Sequence, residues 1–361
     1  MGDPRSLEDE LPELGPDSQH PTLAHRVALL LPGFTLAIVL ASVATLLGHL
    51  LPIIGAPVFA IVGGIIVSLL RPAPSSFRPG IAFASKSILQ GSIVVLGTDL
   101  SFHEVVMTGS SSLPVMLGSL AVALLGAVVI GRSMKIDRDL YTLIGVGTGI
   151  CGASAIAATD AVISAREAEV SYAIATIFTF NVVAVLTFPT LGHVLRMTPH
   201  GFGLWAGTAV NDVSSVVAAA SIFGHGATST AVVVKLARTL MIIPITLGLA
   251  LWRGRRGGTD THSAPKWRLF NHVRRSFPKF IGWFLLAVTI NTVGMIPHGW
   301  HTSLSDVAAF MITVALAGIG LSTKLRDIRA AGSRPLVLGA ILWVLVAATS
   351  LGLQLLTGTV H

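Results

Sequence analysis

The stretch Gly145-Val146-Gly147-Thr148-Gly149-Ile150-Cys151-Gly152-Ala153-Ser154-Ala155 lies near the centre of an apolar run from 138 to 163, and its composition is at odds with a continuous helix. Gly145, Gly147 and Gly149 fall within five residues, and each costs a helix about 1 kcal/mol relative to alanine. The helix should break here. In lipid a break is tolerated only where the freed backbone groups meet protein or a water-filled cavity. It predicts a half-helix beginning near Gly152 or Ala153, whose N–H groups and positive dipole end favour an anion, with the Thr148 and Ser154 hydroxyls as further donors. Close helix packing through small residues is the competing explanation of the same glycines.

Outward from this run, the chain of 361 residues is 52% hydrophobic and 11% charged, with a mean hydropathy of +0.79. Soluble domains carry about 25% charge, so the bilayer is the solvent. Apolar runs long enough to cross it occur at 27–50, 55–70, 80–99, 112–131, 138–163, 168–195, 200–222, 229–252, 279–296, 302–322 and 335–356. They are too long and too continuously apolar for barrel strands. The fold class is therefore an all-α polytopic membrane protein, with eleven transmembrane helices and at least one broken at the midplane.

Residues 1–26 are acidic, polar and proline-containing, which reads as a disordered cytoplasmic tail. Helices 1–8 occupy 27–252, a Gly/Arg/Lys-rich cytoplasmic linker 253–278, and helices 9–11 the stretch 279–356. Cys151 is the single cysteine and no Cys/His cluster has zinc-like spacing, so neither a disulfide within the chain nor a metal or other cofactor is expected. The net charge of +7 sits in short loops between apolar runs, a pattern of topology and not of nucleic-acid binding.

The distribution of those charges tests the span count. Arg5 and Arg26; Arg71, Arg78 and Lys86; Arg132, Lys135 and Arg138; Arg196; the cluster from Arg253 to Lys279; and Lys324, Arg326, Arg329 and Arg334 all fall on one side. The opposite loops contain only Arg166. The N-terminus is then cytoplasmic and the C-terminus outside, in a bacterial inner membrane.

Few polar groups remain inside the spans. Asn211-Asp212 and Ser215 stand in the middle of the seventh, where an ionised Asp costs about 2.5–3.5 kcal/mol and is a functional candidate by default. Lys235 and Arg238, three residues apart, share one face of the eighth. Pairing Arg238 with Asp212 would leave Lys235 free for a small oxyanion; alternatively the pair only fixes helix register, and Lys235 snorkels to the interface. Asp160 either titrates as a coupling site, pairs with Arg166, or simply solvates a helix end. Asn181 and Asn291 read as helix-to-helix hydrogen bonds. A weak echo between 91–101 and 315–325, on spans of opposite direction, suggests inverted repeats, the architecture of secondary transporters.

The run Gly147-Thr148-Gly149-Ile150-Cys151-Gly152-Ala153-Ser154-Ala155-Ile156, with Gly203-Leu204-Trp205-Ala206-Gly207, Asn211-Asp212-Val213 and Lys235-Leu236-Ala237-Arg238, resembles the bacterial YeiH-type sulfate-exporter family from the second span onward. The resemblance implies a fold similar to sodium–proton antiporters and bile-acid symporters, with broken helices crossing near the substrate. It supports roles for Cys151, Gly152, Ser154, Asp212, Lys235 and Arg238. The chain departs from the family pattern in having Asn211 and Ser215 where His and Gln are usual, and Asp160-Ala161 in place of Ala-Pro.

The residues expected to hold substrate are thus Thr148, Gly149, Cys151, Gly152, Ser154, Asn211, Asp212, Ser215, Lys235 and Arg238, with Asp160 and Asp212 as coupling candidates. The leading expectation is an alternating-access carrier of sulfate, sulfite or a related anion. The alternative is a Na⁺- or H⁺-coupled organic-acid carrier or cation/proton antiporter. The partners expected are a small anion, H⁺ or Na⁺, and the bilayer, with room for homo-oligomers and no nucleic acid. An intramembrane serine hydrolase built on Ser154 lacks a mid-membrane histidine base, and no nucleotide-binding motif is present, so the chain reads as a gradient-driven transporter and not an enzyme.

Overall fold

The computed structural model describes residues 23–51, 55–71, 73–224, 226–256, 279–323 and 333–360. Among these the chain is helical throughout, with no strand. The helices are α1 (Leu23–Leu50), α2 (Ala56–Leu70), α3 (Arg78–Phe83) continuing through a π turn into α4 (Leu89–Leu96), α5 (Phe102–Ser133), α6 (Arg138–Gly149), α7 (Ala153–Ile163), α8 (Glu167–Val194), α9 (Pro199–Ala209), α10 (Val213–Phe223), α11 (Ala227–Thr239), α12 (Ile242–Arg256), α13 (Lys279–Thr292), α14 (His301–Ser322) and α15 (Ser333–Thr357).

Seven helical stretches are long and apolar enough to cross a membrane. Large apolar side chains point outward along them, among them Leu31, Val39, Leu125, Val129, Phe178 and Val344, a surface that water would not tolerate and lipid does. The chain is a helical polytopic membrane protein. The tail expected over 1–26 and the linker over 253–278 lie mostly outside the described residues; Arg253 to Arg256 complete α12.

Two of the expected spans do not run straight through. Arg166, just past α7, places a guanidinium nitrogen 2.5 Å from Asp137, just before α6, although 29 residues separate them. A straight rod of that length would hold them about 43 Å apart. The α6–α7 unit instead folds back as a hairpin. Ile136 and Leu140 at its start share one apolar cluster with Ile163 at its end, and Gly147 faces Ile156. The second hairpin is α9–α10, where Phe202 stacks on Phe223 with ring centroids 3.9 Å apart, closing the base while Val210-Asn211-Asp212 forms the tip. Residues 200–222 are therefore not the one continuous span expected, nor 138–163 the broken but crossing one. With both turning back, at most nine of the eleven expected crossings remain.

Helix α8 measures how the hairpins approach each other. Near its start, Glu169 holds Arg166, which reaches Asp137 at the base of the first hairpin; near its end, Phe188 stacks on Trp205 and Gly192 packs against Phe202 and Phe223. Between them, Ile177 touches the first tip at Gly152, and Asn181 Oδ1 accepts the Asn211 N–H of the second tip at 3.2 Å. The hairpins enter from opposite ends and meet tip to tip one turn apart on α8, which gives the fold its inverted character.

Local chemistry explains the breaks. Gly152 has φ +70, a left-handed conformation that only glycine adopts without strain. At the second tip Asp212 is extended and caps α10. Between α11 and α12 the chain kinks at Leu240–Met241, because Pro244 has no N–H to return to the Leu240 carbonyl.

The remaining helices form a scaffold around α2 and α14, whose backbones come so close that a Cβ at Gly64 would stand 2.9 Å from Gly320 Cα. The two echoing stretches begin on α4 and α14, and the α3–α4 segment packs antiparallel to α14, with Gly91 against Met311 and Ser85 against Gly318.

The first hairpin makes a testable statement about sidedness. In a Cys151→Ser background, single cysteines at the exposed positions Ser133 and Ala168 are expected to react with an impermeant maleimide from the same side of sealed vesicles. Labelling from opposite sides would restore the straight span.

Candidate functional site

The two hairpin tips present four helix ends to one another. α6 and α9 arrive with their carbonyl ends, α7 and α10 depart with their N–H ends, and each end concentrates about half an elementary charge. A Cβ built on Gly152 would be 3.3 Å from the Asp212 Cβ, so the tips are in direct contact.

Lys235 and Arg238 of α11 neutralise the carbonyl ends. Both side chains are 0% exposed. The Lys235 ammonium donates to the Ile150 carbonyl and to the Val210 carbonyl, each at 2.8 Å, and so bridges the two tips. Arg238 Nε donates to the Gly149 carbonyl, while its Nη1 and Nη2 are buried without an acceptor. Lys235 therefore does not snorkel. Nor does Arg238 pair with Asp212, as its charge had suggested, because the bare carbonyls ending α6 lie nearer along α11.

Asp212 answers an N–H end. Its Oδ1 accepts the Ser215 N–H at 3.1 Å and its Oδ2 the Ser214 hydroxyl at 2.6 Å, which closes the N-terminus of α10. The N-terminus of α7 has no such cap. Among the described residues its Ala153 and Ser154 N–H groups meet no acceptor, and Ser154 is exposed. One positive helix end at the crossing is thus filled by a carboxylate of the chain, and one is open.

The sequence-selected residues divide accordingly. Thr148, Gly149, Cys151, Gly152, Asn211, Asp212, Ser215, Lys235 and Arg238 gather at the tips, with Ser154 on the first turn of α7. The Thr148 hydroxyl and the Asn211 Oδ1 are buried without partners, as is the Arg238 terminus. Cys151, next to Gly152 at the first tip, is buried. Asp160 does not belong to this group and does not pair with Arg166. Its carboxylate accepts the Ala165 N–H at 3.0 Å near the hairpin base, whereas Arg166 is held by Asp137 and Glu169. Asn181, read as a helix-to-helix bond, does make one, to the second tip. Asn291 donates to the Leu100 carbonyl at 3.2 Å. The Val210 and Ile150 carbonyls and Ser214 were missed. An Asp at the head of an apolar run is an N-cap pattern, and it was the available signal.

Relatives match this chain over most of its length. The family described as conserved hypothetical protein 698 matches residues 32–339, which include both hairpins, Lys235 and Arg238. A UPF0324 membrane protein of Streptococcus pyogenes serotype M18 is 44% identical over 336 residues, covering 91% of this chain and 97% of that one. One from Fusobacterium nucleatum is 39% identical over 346 residues, covering 90% and 98%, and one from Streptococcus pneumoniae serotype 4 is 42% identical over 336 residues. With a match of this extent, the chain belongs to the conserved hypothetical protein 698 family, the YeiH-type UPF0324 membrane proteins that the hairpin-tip residues had suggested.

Proposed function

We propose that this protein is a gradient-driven secondary transporter of a small anion of the sulfate and sulfite class, working by alternating access at the hairpin tips. The observation that carries the reading is the Arg238 terminus: a guanidinium sealed from solvent with Nη1 and Nη2 unsatisfied, in a protein interior where an unpaired charge is strongly unfavourable. An oxyanion bridging Arg238 and the open end of α7 would satisfy both. Lys235 serves chiefly to hold the tips, and Thr148, Asn211 and Ser154 supply the remaining polar contacts.

Orientation follows from the same charges as before. Each hairpin removes one crossing, so the basic loops stay cytoplasmic, Arg166 joins them, and Arg196 becomes the single exception outside. The N-terminus is cytoplasmic and the C-terminus external, as in the straight-span reading.

A second reading, a Na⁺- or H⁺-coupled carrier of organic acids, gains support from Asp212, which no arginine among the described residues neutralises. Hydrolysis has less to recommend it: His193 is stacked on Phe223, with centroids 4.4 Å apart, at the far base of the second hairpin from Ser154.

Purified protein in liposomes should take up radiolabelled sulfate or sulfite saturably, and Arg238→Ala should reduce that flux by roughly a hundredfold, the equivalent of about 2.7 kcal/mol for a charge-assisted contact. Flux of neither anion under proton or sodium gradients, with folded protein, would sink the assignment. Lys235→Met reports on the scaffold. Losing the bridge leaves two buried carbonyls bare and should cost about 2–4 kcal/mol, seen as a lower melting temperature in detergent; an unchanged melt would contradict the bridging role.

A further inference from the structure

Asp212 is the acidic group at the contact of the tips, and its surroundings are asymmetric. The charged and titratable groups facing it are Lys235 from α11 and the Cys151 thiol from the first tip. From α8 the neutral Asn181 accepts the N–H of Asn211, the residue before it. α2 carries no titratable residue, and those on the other neighbours of α10 lie at remote ends: His200 beside Thr230 at the hairpin base, His301 beside Asp99, and Asp306 on the exposed first turns of α14. Counting Arg238, one turn along α11 on the Gly149 carbonyl, the crossing holds two buried cations against one carboxylate, a single positive charge in excess. Protonation of Asp212 raises the excess to two.

Geometry sharpens the count. Asp212 behaves as a tethered anion on the N-terminus of α10, while the open N-terminus of α7 begins at Gly152, against the Asp212 side chain. A divalent oxyanion on α7 would lie beside an ionised carboxylate, with only one positive charge to balance it. With Asp212 neutral, that repulsion disappears. The Ser214 hydroxyl, which now donates to Asp212 Oδ2, would instead accept from the new O–H, and its own proton would turn toward the anion.

We propose that Asp212 is the proton-coupling group that matches this site to a dianion. It takes one proton from the aqueous phase at Oδ2, the dianion binds beside it, the two cross together, and the proton returns to water when the anion leaves. The inference rests on the anion reading above. The translocated pair carries one net negative charge, so an inside-negative membrane potential drives it outward and an acid exterior drives it inward.

The test uses full-length protein in liposomes with the voltage clamped at zero by potassium and valinomycin. Sulfate exchange without a gradient asks first whether the anion is a substrate; its absence in wild type would end both the anion reading and this proposal. Given exchange, an acid-outside gradient should raise sulfate accumulation roughly tenfold per pH unit, the ratio for one proton per anion, and sulfate entry should alkalinise a weakly buffered exterior. In Asp212→Asn the gradient should add nothing to exchange, and Asp212→Glu should restore the effect. Wild-type exchange with no response to the gradient, or a response surviving in Asp212→Asn, would overturn the proposal while leaving the anion reading intact. Should Asp212→Asn carry no exchange, wild type decides: sulfate flux must rise with acidity while nitrate flux, that of a monoanion, does not, and equal pH dependence of the two would refute the assignment.

Discussion

The Lys235 ammonium, donating at once to the Ile150 and Val210 carbonyls, holds the centre of this molecule together. A buried lysine without partners would be unfavourable by several kcal/mol. Here it meets two helix ends whose own carbonyls would otherwise be bare in a nonpolar interior. Neither the cation nor the helix ends would be stable alone, so each accounts for the presence of the other. Arg238 extends the arrangement by one turn to Gly149, and Asp212 completes it with opposite sign on α10.

The packing around the centre follows from this demand. Hairpins can bring four helix ends together only if their arms approach neighbouring helices closely, and small residues line those approaches: Gly145 against Ala127, Gly203 and Gly207 against α11. The aromatic stack of Phe188, Trp205 and Trp343 wedges the second hairpin against α8 and α15. At the first hairpin the base is clasped by Asp137, Arg166 and Glu169. Each hairpin is thus fixed at base and tip, while the first turn of α7 stays accessible.

Much of this was legible in the sequence, though unevenly. The glycines from Gly145 to Gly149 announced the first break, and the spacing of Lys235 and Arg238 put both on one face. What a single sequence does not display is the direction in which a chain leaves a break, since a hairpin and a straight broken helix have the same composition. Basic-residue counting could not separate them, because two hairpins remove two crossings and merely exchange Arg166 for Arg196 as the exception. The second break was missed because Val210-Asn211-Asp212 contains no glycine; its signal was a capping aspartate, read instead as a charge in mid-span. Arg238 was assigned the wrong partner for a related reason. Carbonyls at a helix end have no letter in the sequence, whereas a carboxylate does.

The order in which the chain is made gives the Lys235 bridge another meaning. The leading arms of both hairpins, α6 and α9, fall outside the apolar helices, and a translocating membrane gains little by accepting them on their own. The Ile150 carbonyl must wait for a lysine synthesised 85 residues later. During synthesis the first tip therefore lacks its cationic partner until α11 has been made. Assembly of the centre is a late and concerted event, and truncation anywhere before Lys235 leaves the cell with a hairpin that has nothing to close on.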